Sequence, residues 1–198
     1  GTMEQKQERV RKLAGFIAAH LYPGQNELRQ ACDRAASLSK ADLLTGIVGE
    51  FPELQGIMGG EYALHDGEST AVAQAIREQY LPKAIEGELP KTQAGQILSL
   101  ADRLDSIAAF FHVGIVPTGS EDPFALRRHA TAIVRIMLEG NFRTDMGPWI
   151  EHARALVSDH GFKGTPDSDK QGRRRIVEFL FERVRHYGRV VHLLRDDV

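Results

Sequence analysis

The sequence predicts an all-α fold. Apolar residues recur at helical spacing along most of the 198 residues, proline and glycine fall between these stripes, and no stretch alternates as a half-buried strand would. Val10, Leu13, Ala14, Ile17 and Leu21 form the first stripe, which Tyr22-Pro23-Gly24 stops. A second helix runs from about Asn26 through Leu28, Ala31, Cys32 and Ala35 to Leu38. A third starts near Lys40 and carries Leu43, Leu44, Ile47 and Val48 up to Phe51-Pro52. Pro52, at a first helical position, opens a short helix over PELQGIMG, whose length Gly56, Gly59 and Gly60, poor helix formers, leave undefined. His65-Asp66-Gly67 reads as a loop, after which Ser69 caps a helix holding Val72, Ala73, Ile76 and Tyr80.

Pro82 to Pro90 is a loop leading to a long helix from about Thr92 to His112. Its stripe of Ile97, Leu100, Ala101, Leu104, Ile107, Ala108 and Phe111 is wide enough for a central core helix. The turn Pro117 to Ser120 follows, then Asp122-Pro123, where Asp122 is placed to cap the next helix and Pro123 to occupy its first position. Two further helices span about Pro148 to His160 and Lys170 to Leu194, with a polar loop from Gly161 to Asp169 between them. There is no internal repeat and no low-complexity tract. The expected organisation is a helical core over residues 1–145 and a C-terminal helical extension over 146–198, packed on the same domain.

With 42% hydrophobic and 26% charged residues, the composition is that of a globular domain and excludes a disordered chain. The densest apolar run, Ile107 to Phe111, is too short to cross a bilayer, so no membrane partner is expected. No signal-peptide pattern opens the sequence. The lone Cys32 has no internal disulfide partner and suits a reducing, cytoplasmic location. Charge is segregated: residues 1–122 hold 11 Lys+Arg against 17 Asp+Glu, and residues 123–198 hold 14 against 10. An anionic partner near the C-terminal half, or a solvated basic face, would account for this.

Three strings are more specific than composition: FPELQGIMG (Phe51 to Gly59), LADRLD (Leu100 to Asp105) and PTGSEDPFALRR (Pro117 to Arg128). In this order and at these distances they resemble the β-subunit of the bacterial two-subunit glycyl-tRNA synthetase. The resemblance runs from about Gly1 to Arg189 and is weaker over Gly188 to Arg195. It implies a middle piece of a longer subunit, with Gly1-Thr2 inside the polypeptide; a cloning scar is the other reading of that dipeptide. It also implies the synthetase α-subunit and glycine tRNA as partners, and no cofactor in this domain, since ATP and Mg would be used by the α-subunit.

The stretch from Ile76 to Ile107 also resembles the HD phosphohydrolase superfamily, whose helical bundle holds a metal on His and Asp ligands. Asp102, in LADRLD, matches the superfamily's late Asp. The His-Asp pair is reduced to Asp42 in SKADLL, and Glu78-Gln79-Tyr80 stands where many members carry His-His-Glu. Asp42, Glu78 and Asp102 are thus vestigial positions of an HD-like fold, and loss of the imidazoles removes the usual metal geometry. His65-Asp66 lies in a glycine-flanked loop and does not match the superfamily pair. Asp102 and Asp105 share a helix face and are placed to pair with Arg or Lys of a neighbour.

No other chemistry is legible. Cys32 lies on an apolar helical face, the eight histidines show no ligand spacing, and neither GxxxxGK[ST] nor GxGxxG occurs. No catalytic residue and no metal site is expected. The candidate RNA-facing residues are Arg127, Arg128 and Arg135 on the helix after Asp122-Pro123, and Arg173, Arg174, Arg175, Arg183 and Arg185 on the C-terminal helix. Arginine suits phosphate because its planar fork donates two parallel hydrogen bonds. Arg128 and Arg135, two turns apart, can point to one side. The expected function is therefore a non-catalytic domain of the β-subunit that contributes to tRNA binding and assembly. An HD-type metal-dependent phosphohydrolase and a purely structural domain are the alternatives.

Overall fold

A computed structural model describes residues 1–119, 121–161 and 163–196, and of residues 166–169 and 190–196 the backbone alone. The fold is all-α: nine α-helices and two 3₁₀ turns, with no strand among the described residues. Ser120 of the expected turn, and the side chains from Val190 onward, lie outside the described residues. By compactness the chain divides into two units, residues 1–105 and the residues from Ser106 onward, and the division falls within the long helix around LADRLD.

In the first unit, α1 (Met3–Leu21) opens with a capping box on Thr2, whose hydroxyl accepts from Gln5 N. Its buried face is Val10, Leu13, Ala14 and Ile17, and it packs on α2 (Asn26–Leu38). The continuous third helix expected from Lys40 is instead a 3₁₀ turn, Ala41–Leu44, followed by α3 (Gly46–Glu50). The break lies at Thr45, whose hydroxyl and amide both bond the Asp42 carbonyl.

Pro52 starts only a 3₁₀ turn, Pro52–Leu54, and the helix proper, α4 (Ile57–His65), begins after Gly56 at φ 81°. Gly59 and Gly60, poor helix formers, lie inside it and serve close packing. A Cβ on Gly59 would stand 2.9 Å from Ile76 Cγ2, and one on Gly60 would stand 2.9 Å from the Ala73 carbonyl oxygen. His65 closes α4 rather than sitting in a loop. α5 (Thr70–Glu78) is capped by Ser69, as expected, but ends before Tyr80. It packs on both α2 and α4.

α6 (Gln93–His112) carries the predicted stripe: Ile97, Leu98, Leu100, Ala101 and Leu104 are buried in its first part, Ile107, Ala108 and Phe111 in its second. In the second unit, α7 (Leu126–Glu139) starts three residues later than expected. Its N-cap is Ala125 rather than Asp122, and Pro123 sits in the preceding turn; Asp122, three residues ahead of the cap, still accepts from Leu126 N (2.7 Å) and Arg127 N (2.9 Å). α8 (Gly147–Asp159) has Pro148 in its first turn. α9 (Pro166–Asp196) begins ahead of Lys170, so the polar loop is shorter than the sequence suggests. α9 packs on α7 and α8, with Phe179 against Phe111 at 5.2 Å between ring centroids.

Candidate functional site

The two carboxylates of LADRLD meet the chain's own cations at a buried centre in the first unit. Asp102, on α6, is 5% exposed and takes the ammonium groups of Lys6 (3.1 Å) and Lys40 (3.2 Å) on Oδ1. Asp105, one turn on, is held by Arg9, whose Nε donates to Oδ1 (2.6 Å) and Nη2 to Oδ2 (3.1 Å). Lys6 also reaches Asp105 Oδ2 at 3.3 Å. Between them Arg103 turns the other way: its guanidinium donates to the carbonyls of Gln79, Tyr80 and Pro82 and to Ser99 Oγ, at 2.8–3.1 Å. One helical turn thus fixes α1 and the chain that leaves α5.

Lys40 is the pivot. Its ammonium donates to Gln79 Oε1 (2.9 Å) and Tyr80 Oη (3.1 Å) besides facing Asp102, and it lies 4.3 Å from the Tyr80 ring centroid. Gln79 is fully buried, and its amide also donates to the carbonyls of Ser39 and Ile76. The FPELQGIMG string closes the other side. Gln55 Nε2 donates to Tyr80 Oη at 2.9 Å, and Gly56 N donates to Asp42 Oδ2 at 2.6 Å. Gly56 is required twice, by its positive φ and because a Cβ there would stand 2.9 Å from the Tyr80 ring.

Electrostatics follow from this packing. Burial pushes the Asp102 carboxyl up, but Lys40, then Lys6 and Arg103, outweigh it and hold the group well below the usual carboxylate range. Burial pulls the Arg103 guanidinium down to about 10, against the pull of Asp102, so it stays charged at neutral pH. The Tyr80 phenol is pushed far up by burial, then by the charges of Asp102 and Asp42, and stays protonated.

Of the positions singled out by the HD resemblance, Asp42 accepts from Gly56 N and Asp102 takes Lys6 and Lys40, whereas Glu78 has a separate set of partners. Glu78 is buried and accepts from Thr92 N (3.0 Å), Thr92 Oγ1 (2.6 Å) and Gln74 Nε2 (3.0 Å), which anchors the start of α6. Among the described residues no group of three or more His, Cys, Asp or Glu is arranged to hold a metal ion. His65 pairs with its neighbour Asp66, both exposed.

The sequence reading of the Asp102–Asp105 pair as an ion-pair face agrees with the geometry, but it missed the partners. Their signal was present: Lys6 and Arg9 precede Leu13 and Ile17 at 7 or 8 residues, on the stripe that α1 buries. A charge in an apolar register asks for an opposite charge.

The candidate arginines of the second unit are placed unequally. Arg128 and Arg185 are exposed. Arg173 is exposed with Glu151 at 3.7 Å, and Arg174 is exposed with Glu178, one turn along its own helix, at 2.7 Å. Arg175 and Arg183 are half-buried, the latter near Glu182 at 3.9 Å. Arg127 donates to the carbonyls of Gly119 (2.7 Å) and Glu121 (3.3 Å) and so ties down the loop ahead of α7. Arg135 is 7% exposed, its Nε on Glu139 Oε1 (2.7 Å), which also accepts from Tyr187 Oη (2.7 Å). Arg128 and Arg135 therefore do not share a solvent-facing side, because Arg135 serves the contact between α7 and α9.

Fold and centre together define an all-helical domain in which the buried Asp102 and Asp105 are neutralised by the chain's own cations. Residues 1–196 match the model of the glycyl-tRNA synthetase beta subunit family, beyond the point near Arg189 where the motifs weaken, and the chain belongs to that family. It is 43% identical over 196 residues to the glycine–tRNA ligase beta subunit of Citrifermentans bemidjiense, covering 99% of this chain and 27% of that protein. Its identity to the beta subunit of a Geobacter species is 44% over 196 residues, with the same coverage. To that of Desulforudis audaxviator it is 52% over 155 residues, covering 78% of this chain and 22% of the relative. The chain thus spans about a quarter of the length of these curated relatives. No helix among the described residues is long and apolar enough to cross a membrane.

Proposed function

We propose that this chain is a non-catalytic domain of a glycyl-tRNA synthetase β-subunit and contributes to tRNA binding and assembly during ATP-dependent ligation of glycine to its tRNA. Family membership along residues 1–196 is the observation that carries the reading. Its partners are then the α-subunit and glycine tRNA, with ATP and Mg used by the α-subunit. The RNA-facing surface is assigned to the exposed arginines of α7 and α9, with Arg128, Arg173, Arg174 and Arg185 at its centre. Backbone contact is favoured over base reading, because no aromatic residue interleaves with the arginines of α7.

The hydrolase reading is disfavoured by the donor set. A metal at the HD-like positions would have to displace two ammonium groups from Asp102 and would find Ala41, Glu78 and Gln79 in place of imidazoles. Lys40 instead supplies positive charge from within the chain.

The test is tRNA binding by the assembled enzyme. Arg173→Glu with Arg174→Glu, and Arg128→Glu with Arg185→Glu, should weaken tRNA binding and leave glycine adenylation nearly unchanged. The slope of log K against log salt should become shallower by about 0.7–0.9 for each phosphate that is no longer neutralised. Unchanged affinity at low salt for both variants would make the domain structural. Phosphodiester or nucleotide hydrolysis that depends on added Mn²⁺ and is abolished by Asp102→Ala would favour the hydrolase.

A further inference from the structure

Around the FPELQGIMG string, Gly56 and Gly59 are buried while four large apolar side chains between residues 44 and 57 are left exposed. Leu44 is 91% exposed, Phe51 48%, Ile57 44% and Ile47 36%. These residues lie on successive short elements that pack on one another: the Ala41–Leu44 turn, α3, the Pro52–Leu54 turn and the start of α4. The register is not free to turn them inward, since it buries Asp42, Val48 and Gly56 and spends Asp42 Oδ2 on Gly56 N. Singly exposed apolar side chains are ordinary, but four within residues 44–57 mark an interaction surface.

The charge of this face states what covers it. Of the six carboxylates from Ala41 to Ile76, Asp42 is buried, Asp66 lies beside His65, and Glu61 and Glu68 pair with Arg77 and Arg34, which leaves Glu50 and Glu53 beside the apolar side chains. Glu50 and Glu53 flank Phe51, both exposed. The cation that approaches them is Lys83, on the Glu53 carbonyl at 3.3 Å. An acidic rim repels a polyphosphate and complements an occupant that is apolar at its centre and lysine- or arginine-rich at its edge.

Size selects the source of that occupant. Four side chains make a patch below the roughly 800 Å² that each partner contributes to a stable contact between separate molecules. A tethered segment needs far less area, because its effective concentration is already high. In the relatives about three quarters of the subunit lies outside the matched stretch, this chain covering 27% of the first of them. We propose that the face formed by Leu44, Ile47, Phe51 and Ile57 docks a basic, apolar segment of the same subunit from outside these 198 residues. This rests on family membership and is independent of the arginine surface proposed for tRNA.

Photo-crosslinking in the complete synthetase tests it, with p-benzoylphenylalanine replacing Phe51 in a subunit of the relatives' length. The expected product is an intrachain crosslink, mapped by mass spectrometry, to a segment that carries apolar residues beside lysine or arginine. Glu50→Lys with Glu53→Lys should lower its yield by about tenfold, while cooperative melting is retained. A crosslink to tRNA, to another subunit or to a second copy, or none at all, overturns the proposal. Leu44 offers a second probe position with the same outcomes, should replacement of Phe51 disturb folding. Because tRNA affinity is measured separately, failure here is distinguishable from failure of the arginine surface.

Discussion

Lys40 shows how one side chain changes what a buried carboxylate is for. Its ammonium faces Asp102, Gln79 and Tyr80 in a region from which water is excluded, so removing it leaves Asp102 with Lys6 and an unfilled space. Lys40→Met should destabilise the protein by about 3 kcal/mol, the lower end for a broken buried pair, because Lys6 still faces the carboxylate. Denaturant titration measures this. The pH dependence has a definite sign. The Asp102 carboxyl lies lower in the folded chain than its ordinary 3.8, so its contribution is full above about pH 5 and drains away as pH falls toward the folded value. Unfolding free energy between about pH 5 and 2 should slope less in Asp102→Asn than in the parent. Cys32 is a simpler case: burial alone pushes its thiol up to about 12, and it is 0% exposed. A thiol reagent should label it at the rate of global unfolding, and fast labelling of the native protein would contradict its burial.

At the scale of elements, α6 makes different demands on its two faces. Leu104 lies one residue from Arg103 and Asp105 yet is 1% exposed on the apolar side. Leu104→Asp places an uncompensated charge among Leu100, Ala101 and Ile107, and the variant should lose its cooperative melting transition. The helix start is just as constrained. Thr92 Oγ1 accepts from Gly95 N while donating to Glu78, and a Cβ on Gly95 would stand 2.8 Å from the Glu78 Cβ. Gly95→Ala, which on intrinsic propensity alone gains up to about 1 kcal/mol, should instead destabilise. A raised melting temperature for that variant would show that Glu78 is free to move aside.

At the scale of the whole molecule, charge is distributed by role rather than by amount. The cations of the first unit are largely consumed internally: Lys6, Arg9, Lys40 and Arg103 serve the centre, and Arg34 serves Glu68. In the second unit Arg128 and Arg185 remain at the surface. The field available to a polyanion is therefore set by fewer arginines than the sequence contains. Association of tRNA with the complete synthetase should slow as ionic strength rises, and the Arg128→Glu, Arg185→Glu variant should flatten that dependence. Stopped-flow binding at two salt concentrations checks this. Arg135→Gln should act differently: it should lower stability through Glu139 and Tyr187 and leave the salt dependence alone.

The helical class, the stripes of α1 and α6 and the cap on Ser69 were legible in the sequence. They depend on local spacing, which a single chain of letters records. The three motif strings likewise identified the family without coordinates. What the sequence could not convey was which partner each charge would meet. Asp102 meets Lys40 across 62 residues, and Asp105 meets Arg9 across 96. No local rule chooses among 25 lysines and arginines at such separations. The same holds for the glycines of FPELQGIMGG, which read locally as helix breakers and act in the folded chain as clearances for Ile76, Arg77 and Tyr80. Spacing and punctuation decided where the helices are; only their packing decided that Arg135 is bound inward and that Leu44 and Phe51 face out, because burial is a property of the neighbours a residue acquires.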